Sequence, residues 1–173
     1  MDGSRHRFAG RPSNTAERRG VLRAIFWGGL ACGTCDTIAA LVVYNALGTR
    51  PSVLLHFIAS GALGMRSFSG GPATAVLGLV FEFVISFGAA AVFVTASRWW
   101  PWLAQRPEFS GPLYGVAVYF FMNLVVVAHS AAPKQPFSLK LTIVGLIIHM
   151  LCVGSPIAFV AHRFARVPAP LAA

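Results

Sequence analysis

Apolar residues occur along this chain in four long runs, at about residues 24–47, 73–97, 112–131 and 139–161. Each run is as long as the roughly 20 mainly apolar residues that a helix needs to cross a lipid bilayer. Together they occupy most of the chain and leave no room for a soluble catalytic module. We therefore predict an all-α integral membrane protein, a four-helix transmembrane bundle forming one membrane domain at residues 24–163.

A shorter apolar stretch, SVLLHFIASGALGM, occupies residues 52–65 between the first two runs. It is too short to cross a hydrocarbon core of roughly 30 Å. Pro51 favours a helix start just before it, and Gly70 and Gly71 favour a stop after it. We predict one short interfacial or re-entrant helix between spans 1 and 2.

Composition and charge fit this picture and add an orientation. Of 173 residues, 56% are hydrophobic and 11% are charged, against roughly 25% charged in soluble domains. The net charge of +9 is spread around the apolar runs and not interleaved with aromatics on one polar face, so we predict membrane lipids and no nucleic acid as partners.

Four spans place both ends of the chain on one side of the membrane. That side carries ten of the 14 basic residues and the other side carries four. Because cytoplasmic segments are the more basic ones, we predict cytoplasmic tails at residues 1–23 and 164–173. The first of these is basic and polar, and we predict that it is disordered.

Each apolar run also contains one strongly polar residue near its middle. A charged side chain at the bilayer centre costs about 2.5–3.5 kcal/mol on insertion scales, so such groups normally face the bundle interior or a cavity. At about 1.5 Å per residue, the four polar residues fall at similar depth. They define a predicted midplane polar site: Asp36, Glu82, Asn123 and His149.

This polar layer has two interpretations. Histidine exchanges protons near neutral pH, so two carboxyls and an imidazole in one layer suit a small-solute or proton-linked transport module. The alternative is that the four side chains only cross-link the helices, and that the protein is a structural or assembly subunit of a membrane complex or a homo-oligomer. The sequence leaves both open.

Cys32 and Cys35 form a C-x-x-C motif, which elsewhere acts as a redox pair. Deep burial suppresses the reactive thiolate, so we retain thiol redox only as a third interpretation. A carboxylate, imidazole and thiolate set could also bind a metal of unknown identity, although no metal-spacing motif is present. The chain lacks the H-E-x-x-H, P-loop, G-x-S-x-G and Rossmann patterns, so we predict no cofactor and favour a protein that is not a conventional enzyme.

Four stretches resemble a group of small bacterial inner-membrane proteins with no assigned activity. They are IASGALG at residues 58–64, FSGGPATAVLG at 68–78, GPLYGVAVYFFMN at 111–123 and HMLCVGSPIA at 149–158. The resemblance extends over about residues 28–163 and implies a four-span protein of the bacterial inner membrane. Against that group, Cys32 and Cys35 are peculiar to this chain, and Glu82 stands where a histidine is expected.

Overall fold

The computed structural model describes residues 14–164, and every regular element in that range is helical. Four of the helices are long and apolar enough to cross a membrane. We call them spans 1 to 4, and their bounds are Glu17–Ala46, Gly71–Trp99, Pro107–Val127 and Leu139–Phe164. The predicted all-α fold with four long apolar helices is confirmed.

Proline and serine residues mark where several of these helices begin. Pro51, Pro72 and Pro107 lie in the first turns of their helices, where a missing N–H costs nothing. The hydroxyl of Ser138 accepts from the N–H of Leu141 at the start of span 4. The α-helical segments run Asn14–Ala46, Pro51–Leu63, Gly71–Trp99, Trp102–Gln105, Pro107–Phe121, Leu139–Ile148 and Ser155–Phe164. A 3₁₀ turn covers Gly64–Ser69, and π-helical turns cover Met122–Val127 and His149–Gly154.

The first helix begins earlier than the sequence pattern predicted. It starts at Asn14, so the prediction of a disordered tail is wrong for residues 14–23. Arginine has a good helix propensity, and Glu17 in the first turn suits the positive end of the helix dipole. Glu17 also pairs with Arg98 of span 2 at 2.6 Å, an exposed contact that contributes at most about 1 kcal/mol. The predictions for residues 1–13 and 165–173 lie outside the described residues.

Span 1 lies between span 2 and span 4, and span 3 packs mainly against span 4. On span 1, Gly29 lies against Phe87 and Gly33 lies against Phe83 of span 2. A step of four residues forward on span 1 thus matches four residues backward on span 2, as expected for antiparallel helices. The absence of side chains at these glycines lets the two aromatic rings approach the backbone of span 1.

Spans 3 and 4 approach each other more closely than any side chain on their contact face would allow. Gly111 lies against the backbone of Ser155, and Gly115 against the backbone of His149 and Met150. The Tyr114 hydroxyl donates to the carbonyl of Ala89 at 2.8 Å and so ties span 3 to span 2. The buried core among these spans consists of Ala24, Cys32, Ala90, Phe93, Val94, Val153, Ile157, Ala158 and Ala161.

The predicted short helix is present as Pro51–Leu63 and packs along the side of span 2. The backbone of Leu55 lies directly on Gly78, which is seven residues, or about 10 Å, from the start of span 2. Its Gly61 carbonyl accepts from the N–H of Ala131 at 3.0 Å, beyond the end of span 3. We call this end of the bundle the short-helix end, and the opposite end, which carries Glu17 and Arg98, the basic end.

Candidate polar site between spans 1, 2 and 4

The packing of span 1 on span 2 brings Asp36 and Glu82 together. Asp36 lies three residues beyond Gly33, and Glu82 lies four residues before Ser86, which also borders Gly33. Spans 1 and 2 are antiparallel, so three residues forward from Gly33 on span 1 and four residues backward from Ser86 on span 2 reach about the same depth. Asp36 and Glu82 therefore lie at the same level of the bundle. The carboxyl of Glu82 accordingly lies next to that of Asp36 and to the hydroxyl of Ser86.

The carboxyl of Asp36 is almost completely enclosed, with 9% of the residue exposed. Its Oδ1 atom has no hydrogen-bond donor among the described residues, and neither does the buried Oγ1 of Thr37. A buried polar atom without a partner costs about 1–3 kcal/mol. Two ionised carboxyls cannot relieve this cost for each other, because both only accept hydrogen bonds.

Binding of one proton changes the chemistry of this pair. A protonated carboxyl donates an O–H bond to its ionised neighbour, so the pair is stable with one shared proton and repulsive with none. The other titratable groups beside it are Cys32, Cys35 and Tyr44 on span 1 and Cys152 on span 4. No basic side chain is among the neighbours that the described residues place at this pair, so a proton is the positive charge within reach.

His149 lies at about the depth of Asp36 but engages span 3. Gly28 of span 1 packs on Ile157 of span 4. Asp36 lies eight residues after Gly28 and His149 lies eight residues before Ile157, so on these antiparallel helices the two residues lie at about the same depth. The Nδ1 atom of His149 is 3.0 Å from the carbonyl of Gly145. Its ring meets the ring of Tyr119 edge to face, with centroids 5.2 Å apart.

The placement of Asn123 in the bundle interior is wrong. The residue is exposed on the outside of the bundle, and its amide donates to the carbonyl of Tyr119 one turn back at 2.9 Å. Gly115 is the residue of span 3 that packs against His149, and Asn123 lies eight residues, or about 12 Å, further toward the short-helix end. Asn123 lies on the exposed face of span 3, and its depth is also wrong because span 3 begins at Pro107 and not near residue 112.

Span 4 departs from α-helical geometry beside the carboxyl pair. The turn His149–Gly154 is π-helical, a rare conformation that occurs often at functional sites. Pro156 lacks an N–H to donate within the helix. Separately, the hydroxyl of Ser155 donates to the carbonyl of Met150 at 2.7 Å. The wider turn brings the backbone of His149 and Met150 against Gly115 of span 3.

The three cysteines of the chain are free, and they point to two different neighbours. Cys32 lies beside Ser86 of span 2, whereas Cys35 lies beside Cys152 of span 4. The redox role of Cys32 and Cys35 stays a prediction. For a metal, the described residues contain no cluster of three or more His, Cys, Asp or Glu side chains that could hold an ion.

Some members of this site were not singled out from the sequence as functional. These are Ser86 and Cys152. Their signal is helical spacing, since Ser86 follows Glu82 by four residues and Cys152 follows His149 by three, which places each pair on one helix face. The orphaned hydroxyl of Thr37 had no such signal.

Comparison of the chain with protein-family models, with curated proteins and with solved structures finds no match.

Proposed function

We propose that this protein is a proton-linked transport module of a bacterial inner membrane, with both ends of the chain in the cytoplasm. Asp36 and Glu82 are its proton-binding groups. The observation that carries the proposal is a pair of adjacent carboxyls between two apolar helices, in which one buried oxygen has no donor. Ionisable groups in membrane spans mark proton and ion pathways in most proteins that keep them.

The surroundings of the pair support gated access from one side. The short helix lies on Gly78 of span 2, one turn from Glu82, so it covers the pair on the side of the short-helix end. Its His56 ring nitrogen is 2.9 Å from the carbonyl of Gly71, so the short helix contacts the start of span 2 as well as Gly78. Movement of this short helix would open the pair toward that side.

The test is proton movement in liposomes. The purified protein is reconstituted with a pH-sensitive dye inside the vesicles, a membrane potential is imposed, and solutes are added in separate classes: inorganic ions, amino acids and sugars. We expect wild-type vesicles to acidify faster with one of these classes, and the double variant Asp36→Asn with Glu82→Gln to lose that acceleration. Glu108→Gln is the matched control, because Glu108 is exposed at the start of span 3.

A structural role is the second candidate, because the same carboxyl pair also joins span 1 to span 2. The protein would then be a subunit of a membrane complex, with the pair acting as a cross-link. Equal proton movement in wild-type and double-variant vesicles, under every solute class, would refute the transport proposal. Loss of folded protein in the double variant but not in Glu108→Gln would support the cross-link.

A further inference from the structure

An open groove of about 380 Å³ lies on the outside of span 2, next to the basic end. All of its lining residues belong to span 2 or directly follow it: Ala91, Val92, Thr95, Ala96, Trp99 and Trp100. Trp99 is 76% exposed and Val92 is 61% exposed, so this face of span 2 points away from the other described spans. We call this groove the tryptophan groove.

The position of the tryptophan groove along span 2 matches one leaflet of a bilayer. Ala91 and Trp99 are eight residues, or about 12 Å, apart, and one leaflet contributes about 15 Å of hydrocarbon. Tryptophan is enriched at the boundary between hydrocarbon and water, so Trp99 and Trp100 mark the headgroup level. The rest of the groove then lies at the depth of the acyl chains. An acyl chain fits it in polarity and gains the contacts that an empty groove would forfeit.

A guanidinium stands at the headgroup end of the groove. Arg98 directly precedes Trp99 and follows Thr95 by three residues, a spacing that places it on the same side of the helix as Thr95. Its Nη2 atom donates to Oε1 of Glu17 at 2.6 Å, and the Arg98 side chain remains 43% exposed. A guanidinium has five N–H donors, so the contact with Glu17 leaves donors for a phosphate group.

We propose that the tryptophan groove and Arg98 bind one anionic phospholipid, with an acyl chain along span 2 and the phosphate on the guanidinium of Arg98. Arginine binds phosphate oxygens through parallel N–H bonds. A zwitterionic headgroup carries a cation of its own, which Arg98 repels, whereas an anionic headgroup carries none. The ligand is a lipid and not free phosphate, because phosphate alone would leave the apolar groove empty. This inference does not depend on proton transport.

Glu17 tunes the strength of this site. Its carboxylate holds the guanidinium of Arg98, but its negative charge also repels a phosphate. The substitution Arg98→Gln removes the donor and leaves the carboxylate of Glu17 beside the headgroup. The substitution Glu17→Gln leaves the positive charge of Arg98 uncompensated. The two variants should therefore change the preference for an anionic lipid in opposite directions.

The test is tryptophan quenching in vesicles of phosphatidylglycerol and phosphatidylcholine. Bromine on the acyl chains quenches a tryptophan that the lipid touches, and each lipid is brominated in turn. Trp27→Phe and Trp102→Phe are combined, so that the signal comes from Trp99 and Trp100. We expect phosphatidylglycerol to be preferred about fivefold, the effect of one basic side chain at an anionic surface.

Charge variants in the same background assign this preference. We expect it to disappear in Arg98→Gln and to increase in Glu17→Gln. Arg50→Gln is the matched control, because Arg50 is exposed at the short-helix end, and this variant should keep the fivefold preference. An unchanged preference in Arg98→Gln, or a decrease in Glu17→Gln, would overturn the proposal.

Native mass spectrometry of the wild type, extracted from the same vesicles in mild detergent, needs no variant. We expect one phosphatidylglycerol per chain to stay bound after phosphatidylcholine has been lost. Equal retention of the two lipids would show only general contact with the bilayer. A dimer in the mass spectrum, with no quenching of Trp99 and Trp100 by either lipid, would show that a second copy covers the groove. Either result contradicts the proposal.

Discussion

Replacement of Gly115 by alanine is expected to separate span 3 from span 4 and to destabilise the protein by about 1–3 kcal/mol, the usual range for overpacked cores. A methyl group at this position would come within 2.7 Å of the Cα of Met150 and closer still to the carbonyl of His149. These are backbone atoms and cannot rotate away, so a whole helix must move. Thermal unfolding in mild detergent, followed by circular dichroism, measures the change.

Gly88→Ala is the matched control for this substitution. Gly88 is an exposed residue in the middle of span 2, and nothing lies within 4 Å of a methyl group added there. Alanine is the better helix former by about 0.5–1 kcal/mol, so the melting temperature should stay the same or rise. Equal behaviour of Gly115→Ala and Gly88→Ala would mean that spans 3 and 4 do not touch at Gly115.

Replacement of Asp36 by alanine is expected to cost about 1–3 kcal/mol, whereas Asp36→Asn should unfold close to the wild-type temperature. Alanine removes the partner of Glu82 and leaves a buried polar group unsatisfied. Asparagine has nearly the same shape, and its amide N–H donates to an ionised Glu82. The fold then survives, but no proton is needed between the two side chains, so proton binding is lost.

The same thermal unfolding experiment checks this contrast, with Glu108→Ala as a control at an exposed carboxyl. A small effect of both Asp36→Ala and Glu108→Ala would place Asp36 away from Glu82. A large loss of stability in Asp36→Asn would favour a purely structural role for the acid.

Hydrophobic run length was enough to predict the helical class and the four long helices, because a helix that crosses a bilayer must be about 20 apolar residues long. Run length places helix ends poorly. Charged residues such as Arg18 and Arg19 extend span 1 toward the basic end without interrupting the helix. The proline cluster around residue 107 starts a helix at Pro107 and admits Pro112 inside it.

The carboxyl pair of the candidate site was predictable in part. Depth counted from the span bounds, together with the cost of a charge in the bilayer, pointed both carboxyls inward, and the structure puts them side by side. The depth of Asn123 was counted from the wrong end residue, and depth does not show which face of span 3 carries the residue. The contact between Cys35 and Cys152 depends on the π-helical turn of span 4, which changes which residues share a face and leaves no periodic signal in the sequence.

The central claim is that Asp36 and Glu82 share a proton inside the bundle. Infrared spectroscopy of the protein in lipid at neutral pH tests it most directly, because a protonated carboxyl shows a C=O stretch that is distinct from that of a carboxylate. We predict one such band in the wild type and in Glu108→Gln, and none in Asp36→Asn. A wild-type spectrum without a protonated carboxyl, or a band that survives in both Asp36→Asn and Glu82→Gln, would contradict the account.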